Sequence, residues 1–129
     1  VSRRDLISIA NDIVGVPFKL DGRDLAGMDC WGVVLWVYER LGVALPDPCS
    51  TDRITCEASP VFHSFRSIPF AEIAPRDVLR FDASGSARHL GVFLGGGRIL
   101  HAGRRAVEVR RFEPAQIESC YRFAGDFPA

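Results

Sequence analysis

The sequence has no apolar run close to the ~18 residues that a membrane-spanning helix needs. Its first residues, Val1-Ser2-Arg3-Arg4-Asp5, also lack the apolar core of a signal peptide. Neither charge sign is in excess: 16 basic residues balance 16 acidic ones, which leaves no broad electrostatic footprint for nucleic acid. The paired arginines, Arg3-Arg4, Arg104-Arg105 and Arg110-Arg111, read as solvated faces or turns. The 4 cysteines, Cys30, Cys49, Cys56 and Cys120, contain no Cys-x-x-Cys and have irregular spacings, so no metal-knuckle or redox motif is written into them. Cys49 and Cys56 fall in one loop and could pair, but free thiols are the plainer reading. No internal repeat, low-complexity tract or linker divides the chain.

What is present suffices for one folded unit. The chain has 129 residues, 47% of them apolar and 25% charged, which suits a single globular domain over 1–129 with its own core.

Leu6, Ile9, Ala10, Ile13 and Val14 recur at helical spacing, predicting a helix over 3–14 with Ser2 as N-cap and Gly15 and Pro17 as its stop. A Gly- and Asp-rich loop over 16–29 leads to a second helix over 30–41. Asp29 is its expected cap, Val33, Val34, Val37 and Leu41 its buried face, and Gly42 its stop. Residues 43–76 carry Pro46, Pro48, Pro60 and Pro69 and read as irregular, with a helical turn near 62–66. After Pro75 the period changes to that of strands: 78–81, 89–94, 99–102, 106–109 and 121–123, with Gly95-Gly96-Gly97 as a hairpin turn. Helices first and antiparallel strands afterwards predict an α+β fold, with the N-terminal helices packed on an antiparallel sheet.

Cys30 falls in the first turn of the second helix. Unpaired N–H groups and the helix dipole there favour a thiolate, the nucleophilic form of cysteine. The bland alternative is a small buried core residue. His89 and His101 shift the balance. With Gly95–Gly97 as a three-residue loop, Leu94 pairs with Arg98 and Gly91 sits opposite His101. His89, two positions from Gly91, then shares a face with His101 as its diagonal neighbour. One imidazole can take a thiol proton while the other fixes its orientation, as in a nucleophile–base–orienter triad. The same three side chains could instead serve zinc as a three-ligand site. His63, in the irregular stretch, reads as a solvent-exposed residue without a role.

These segments resemble a known family. Gly15-Val16-Pro17-Phe18, followed by Gly27-Met28-Asp29-Cys30-Trp31-Gly32-Val33-Val34, is similar to the nucleophile segment of NlpC/P60 peptidases. Arg76-Asp77-Val78-Leu79-Arg80-Phe81 and His89-Leu90-Gly91-Val92-Phe93-Leu94 resemble their first two strands, and Ile99-Leu100-His101-Ala102 the strand carrying the third catalytic residue. The resemblance covers roughly residues 12–103. It implies a papain-like α+β fold and a thiol peptidase that hydrolyses bacterial cell-wall stem peptides, often between D-glutamate and the diamino acid. Cys30 would attack, His89 would act as base and acid, and His101 would orient His89. The backbone N–H of Cys30 is a natural oxyanion donor. Asp29, Trp31 and Phe18 are the expected substrate-side residues, with no metal and no cofactor. Phe18 replaces a Tyr common in the family, and Trp31 a Ser. Compact members with Asp-Cys-Trp-Gly look most like phage or prophage tail-associated wall peptidases. The expected partners are therefore a stem peptide and phage-tail proteins, after synthesis in the cytoplasm and delivery to the wall by a virion. A tail module that kept this fold without turnover is the alternative.

Overall fold

The first helix, α1 (Leu6–Ile13), buries Leu6, Ile9, Ala10 and Ile13, the stripe its spacing predicts. It starts later than the sequence pattern suggests: Asp5 occupies the N-cap and its side chain makes no capping bond. Gly15 follows at φ 95°, a left-handed conformation that ends the helix at little cost for glycine. The computed structural model describes residues 5–47, 63–82 and 88–128. The expected cap Ser2 and the Cys49–Cys56 pair lie outside them.

The stretch that reads as a loop between the helices holds a minute hairpin, β1 (Arg23–Asp24) with β2 (Gly27–Met28). It delivers the chain to α2 (Cys30–Arg40), which buries Cys30, Trp31, Gly32, Val33, Val34, Val37 and Tyr38. Gly42, at φ 89°, stops α2 where the sequence predicts.

Six strands form one antiparallel sheet: β3 (Phe65–Ile68), β4 (Val78–Asp82), β5 (Arg88–Gly95), β6 (Arg98–Ala102), β7 (Val107–Arg111) and β8 (Ile117–Phe123). Their order is β3-β8-β4-β5-β6-β7. The two helices pack on this sheet, so the α+β architecture is as expected. The helical turn expected near 62–66 is met in part: residues 63–64 lie in a 3₁₀ turn. Residues 65–68 are a strand whose ends, Phe65 and Ile68, are buried and which pairs with β8. Four residues are too few for a period to declare itself, and the partner that makes them a strand lies more than fifty positions away.

The β5–β6 hairpin turns more tightly than expected. Gly96 and Gly97 have φ of 60° and 72°, the two positive values that a two-residue type I′ turn requires. Arg98 pairs with Gly95, not Leu94, and the register shifts between Phe93 and Gly95. The shift absorbs the difference, so Gly91 still lies opposite His101.

The sheet has two working faces. Val78, Leu90, Val92 and Leu100 join the helices in the main core. Leu79, Phe81, Phe93, Ile99 and Cys120 form a second cluster, covered by Ile73, Phe112 and Ile117. One polar contact ties the helical layer to the sheet, and another ties two neighbouring strands. The Tyr38 hydroxyl donates to the Arg76 carbonyl at 2.6 Å, and burial pushes that phenol well above its usual range. Arg122 grips the buried Asp77 carboxylate through Nε at 3.0 Å and Nη2 at 2.9 Å, and Asp77 also accepts from the Ala74 N–H at 2.8 Å.

Asp77 is 3% exposed, so removing its partner strands a buried carboxylate. Arg122→Ala is expected to lower stability by about 2–3 kcal/mol, because an uncompensated buried charge costs more than an exposed pair gains. Urea denaturation followed by circular dichroism measures this. A midpoint equal to wild type would show that the pair is energetically idle.

Candidate active site

Cys30 is placed by its neighbour. The Asp29 backbone is extended, at φ −108° and ψ −168°, and its carboxylate accepts from the Gly32 N–H at 3.0 Å, a side-chain N-cap. The same carboxylate takes the Arg23 guanidinium at 2.8 Å and the Asp21 N–H at 2.7 Å. One buried carboxylate therefore fixes both the start of α2 and the loop before it. Glycines let the loop approach: a Cβ at Gly32 would sit 2.3 Å from the Gly22 carbonyl oxygen, and one at Gly22 2.4 Å from that of Gly27. Gly32, the glycine of the Asp-Cys-Trp-Gly run, is thus a packing requirement.

The thiol is buried, at 6% exposure for the residue. Burial, and then the Asp29 charge, push Cys30 up to about 11, while backbone hydrogen bonds at Leu90 and Trp31 and the Arg23 charge pull the other way. The thiolate expected from the helix N-terminus is therefore not the resting form. Desolvation outweighs the dipole, and the carboxylate that caps the helix adds to it.

The bond at Leu90 brings Cys30 to the residue next to His89. Leu90 lies one residue before the first β5–β6 pair, Gly91↔His101. The thiol thus meets β5 from the helical layer, at the end where the β6 ladder stops. His89 and His101 share the other face. The Phe81 ring lies 5.8 Å from the His89 ring and 5.3 Å from the His101 ring, centroid to centroid. Gly91 leaves no empty space between them, because a Cβ there would sit 2.6 Å from the Ile99 side chain. Its role is to let Ile99 close over the strand. His101 is 4% exposed, and burial lowers its pKa. Its Nε2 lies 2.9 Å from Glu108 Oε2, and its Nδ1 is buried with no hydrogen-bond partner among the described residues.

The expected substrate-side residues divide. Phe18 is 41% exposed and bridges to Met28 beside the nucleophile. Trp31 has no exposed surface, and its indole N–H donates to the Pro46 carbonyl at 3.2 Å. It packs in the main core. Asp29, 2% exposed, has its oxygens committed to the cap and to Arg23. His63 is exposed. Among the described residues, no three His, Cys, Asp or Glu side chains are grouped to hold a metal ion. Sequence reasoning missed Arg23 and Glu108. Arg23 left no signal, since its partner comes through a hairpin too short to predict. Glu108 was reachable: a four-residue turn, 103–106, between β6 and β7 pairs position 101 with 108.

A helix-borne cysteine set against a histidine-bearing antiparallel sheet defines the class as a papain-like α+β domain. The NlpC/P60 family model matches residues 15–124, and the chain belongs to that family. It is 29% identical over 108 residues to a probable endopeptidase of Mycobacterium tuberculosis, covering 84% of this chain and 25% of that protein. It is 29% identical to the murein DD-endopeptidase MepS/murein LD-carboxypeptidase of Escherichia coli, covering 70% and 44%. The chain thus spans a quarter to under half of these relatives. Among solved structures, the NlpC/p60 domain of the peptidoglycan hydrolase SagA superposes with a TM-score of 0.72 at 21% identity, covering 95% of this chain and all of that one. RipD of M. tuberculosis, described as a non-catalytic NlpC/p60 domain adapted to peptidoglycan binding, gives 0.68 at 17% identity, covering 93% and 95%.

Two outcomes are expected from the cap and the buried thiol. Asp29→Ala removes the cap and one of the two carboxylates that hold Arg23, so stability should fall by about 2 kcal/mol; thermal melts read it, and an unchanged Tm would refute the positioning role. Cys30 should alkylate with iodoacetamide more slowly than a free thiol at about pH 8, with the rate rising toward a midpoint of about 11. A fast, pH-flat reaction would instead reveal a preformed thiolate.

Proposed function

We propose that this domain is a cysteine peptidase acting on the stem peptides of bacterial peptidoglycan. The observation that supports the reading is the hydrogen bond between the Cys30 thiol and the backbone of Leu90, the residue that follows His89. In this reading His89 takes the thiol proton as Cys30 Sγ bonds to the scissile carbonyl carbon. The tetrahedral oxyanion sits against the Cys30 N–H at the start of α2, where helix N–H groups stabilise negative charge. Collapse breaks the C–N bond, and His89 returns the proton to the leaving amine. Water, deprotonated by His89, then releases the acyl product and restores the thiol.

A resting thiol suits this order of events. Proton transfer to His89 accompanies attack, so the raised affinity of Cys30 for its proton makes the base indispensable. Phe18, exposed beside Met28, supplies an apolar contact for the stem peptide. The relatives named for wall peptides support the substrate class, and the D-glutamyl bond is our choice within it. Delivery to the wall by a phage tail is likewise our choice.

A second reading, a wall-binding domain without turnover, is favoured by one observation: Cys30 is buried, and that burial raises the thiol's affinity for its proton. Digestion of purified peptidoglycan by wild type and Cys30→Ala, with mass spectrometry of the fragments, separates the two. Release by wild type alone, with at least a ~10³-fold loss in the variant, is expected and identifies the bond. Sedimentation with the wall but no fragments from either protein would support the binding domain. Equal release by both would remove Cys30 from the chemistry.

A further inference from the structure

The contact between His101 and Glu108 asks for a purpose. His101 and Glu108 are direct partners across β6 and β7, and their side chains meet at 2.9 Å. The ring is buried while the carboxylate is half exposed, with side-chain exposures of 5% and 50%. The approach has been given room: a Cβ at Gly103 would lie 2.8 Å from Glu108 Cδ and 2.9 Å from its Oε1. Any side chain at 103 would displace the carboxylate from the ring.

A neutral imidazole carries one N–H, and a carboxylate only accepts. Glu108 therefore selects the tautomer with the proton on Nε2. That leaves a lone pair on Nδ1, the buried atom that has no partner among the described residues. A buried acceptor without a donor is costly unless a donor reaches it during function. His89, the diagonal neighbour across Gly91 and in contact with the same Phe81 ring, is positioned to supply one. Building on the peptidase reading, we propose that Glu108 is a positioning residue of the site: it holds His101 as the Nε2–H tautomer, so that Nδ1 accepts the second ring N–H of His89. The imidazolium formed when His89 takes the Cys30 proton then lies at the head of a chain that ends in a negative charge. Its other effect is on charge. Among the described residues, the groups acting electrostatically on His101 are Glu108, Arg110 and His89, and Glu108 alone favours the protonated pair.

The two effects separate in two variants. Glu108→Gln keeps an acceptor for the Nε2 proton and loses the charge, whereas Glu108→Ala loses both. The first readout is ¹⁵N NMR of the histidine rings near neutral pH, where burial keeps His101 uncharged. Wild type and Glu108→Gln should show His101 protonated on Nε2 only, and Glu108→Ala a mixture of tautomers. The second readout is wall digestion. Glu108→Ala should lose about tenfold in kcat, a part of the ~10²–10⁴ that acid–base catalysis contributes, with Glu108→Gln recovering most of it. Removing the negative charge makes the imidazole pair harder to protonate. The acid limb of kcat/KM should therefore move to lower pH in both variants, which a merely structural defect would not produce. A wild-type His101 protonated on Nδ1, or a Glu108→Ala protein with wild-type tautomer and acid limb, overturns the proposal. If the wild type digests no wall, the peptidase reading fails, and the ring signals alone still decide whether Glu108 sets the tautomer.

Discussion

The site depends on one buried carboxylate. Asp29 closes the end of α2, anchors Arg23 and receives the Asp21 N–H. It thereby joins the helix that carries Cys30 to the loop that precedes it. A carboxylate buried to 2% exposure is tolerable only because it is saturated with donors, one of them charged. That saturation is what makes the geometry unique: moving α2 by a fraction of a turn would leave at least one of the three donors unmet. The glycines of the loop follow from the same constraint, since the backbone at Gly22 has to pass within contact distance of Gly32.

The same carboxylate works against the sulfur. A helix N-terminus favours a thiolate, but Asp29 adds a negative charge beside Cys30, and burial withdraws solvent. Positioning and activation therefore pull in opposite directions. The fold resolves this in favour of position: it sets the thiol against the backbone of β5, and the proposed reading leaves deprotonation to the histidine next along the strand. The resulting nucleophile is quiescent until a base and a substrate are both in place, a useful property for a thiol that would otherwise oxidise.

How much of this is legible in the sequence follows from the range of each interaction. The α2 cap and its stop are local, and Asp29 and Gly42 declare them. The register of β5 and β6 is nearly local. The triple glycine fixes it even though the turn has two residues where three were expected, because the bulge restores the count before Gly91. The parts that were missed depend on distant partners. Residues 65–68 become a strand only because β8 offers an edge. Trp31 reads equally as groove or core until Pro46 is seen to accept its N–H and seal it. The state of Cys30 is less legible still, since desolvation is a property of everything packed around a residue and of no residue in particular.

The sheet's two faces explain why a site of this kind needs a chain of histidines. Cys30 arrives from the helical layer, whereas His89 and His101 rise from the face whose core is Phe81, Ile99 and Phe93. At the end of β5, beyond its last pair with β6, residues 88–90 pair with β4 alone among the described residues. In the proposed reading a base serving the thiol works around that strand end, and the second histidine, one strand deeper and almost fully buried, orients its ring. Its burial in turn requires that its own proton be claimed by a fixed acceptor, and the neighbouring strand provides Glu108. Each step inward trades solvent for a directed bond, so a ring orientation that water would randomise is defined by three consecutive strands of one sheet.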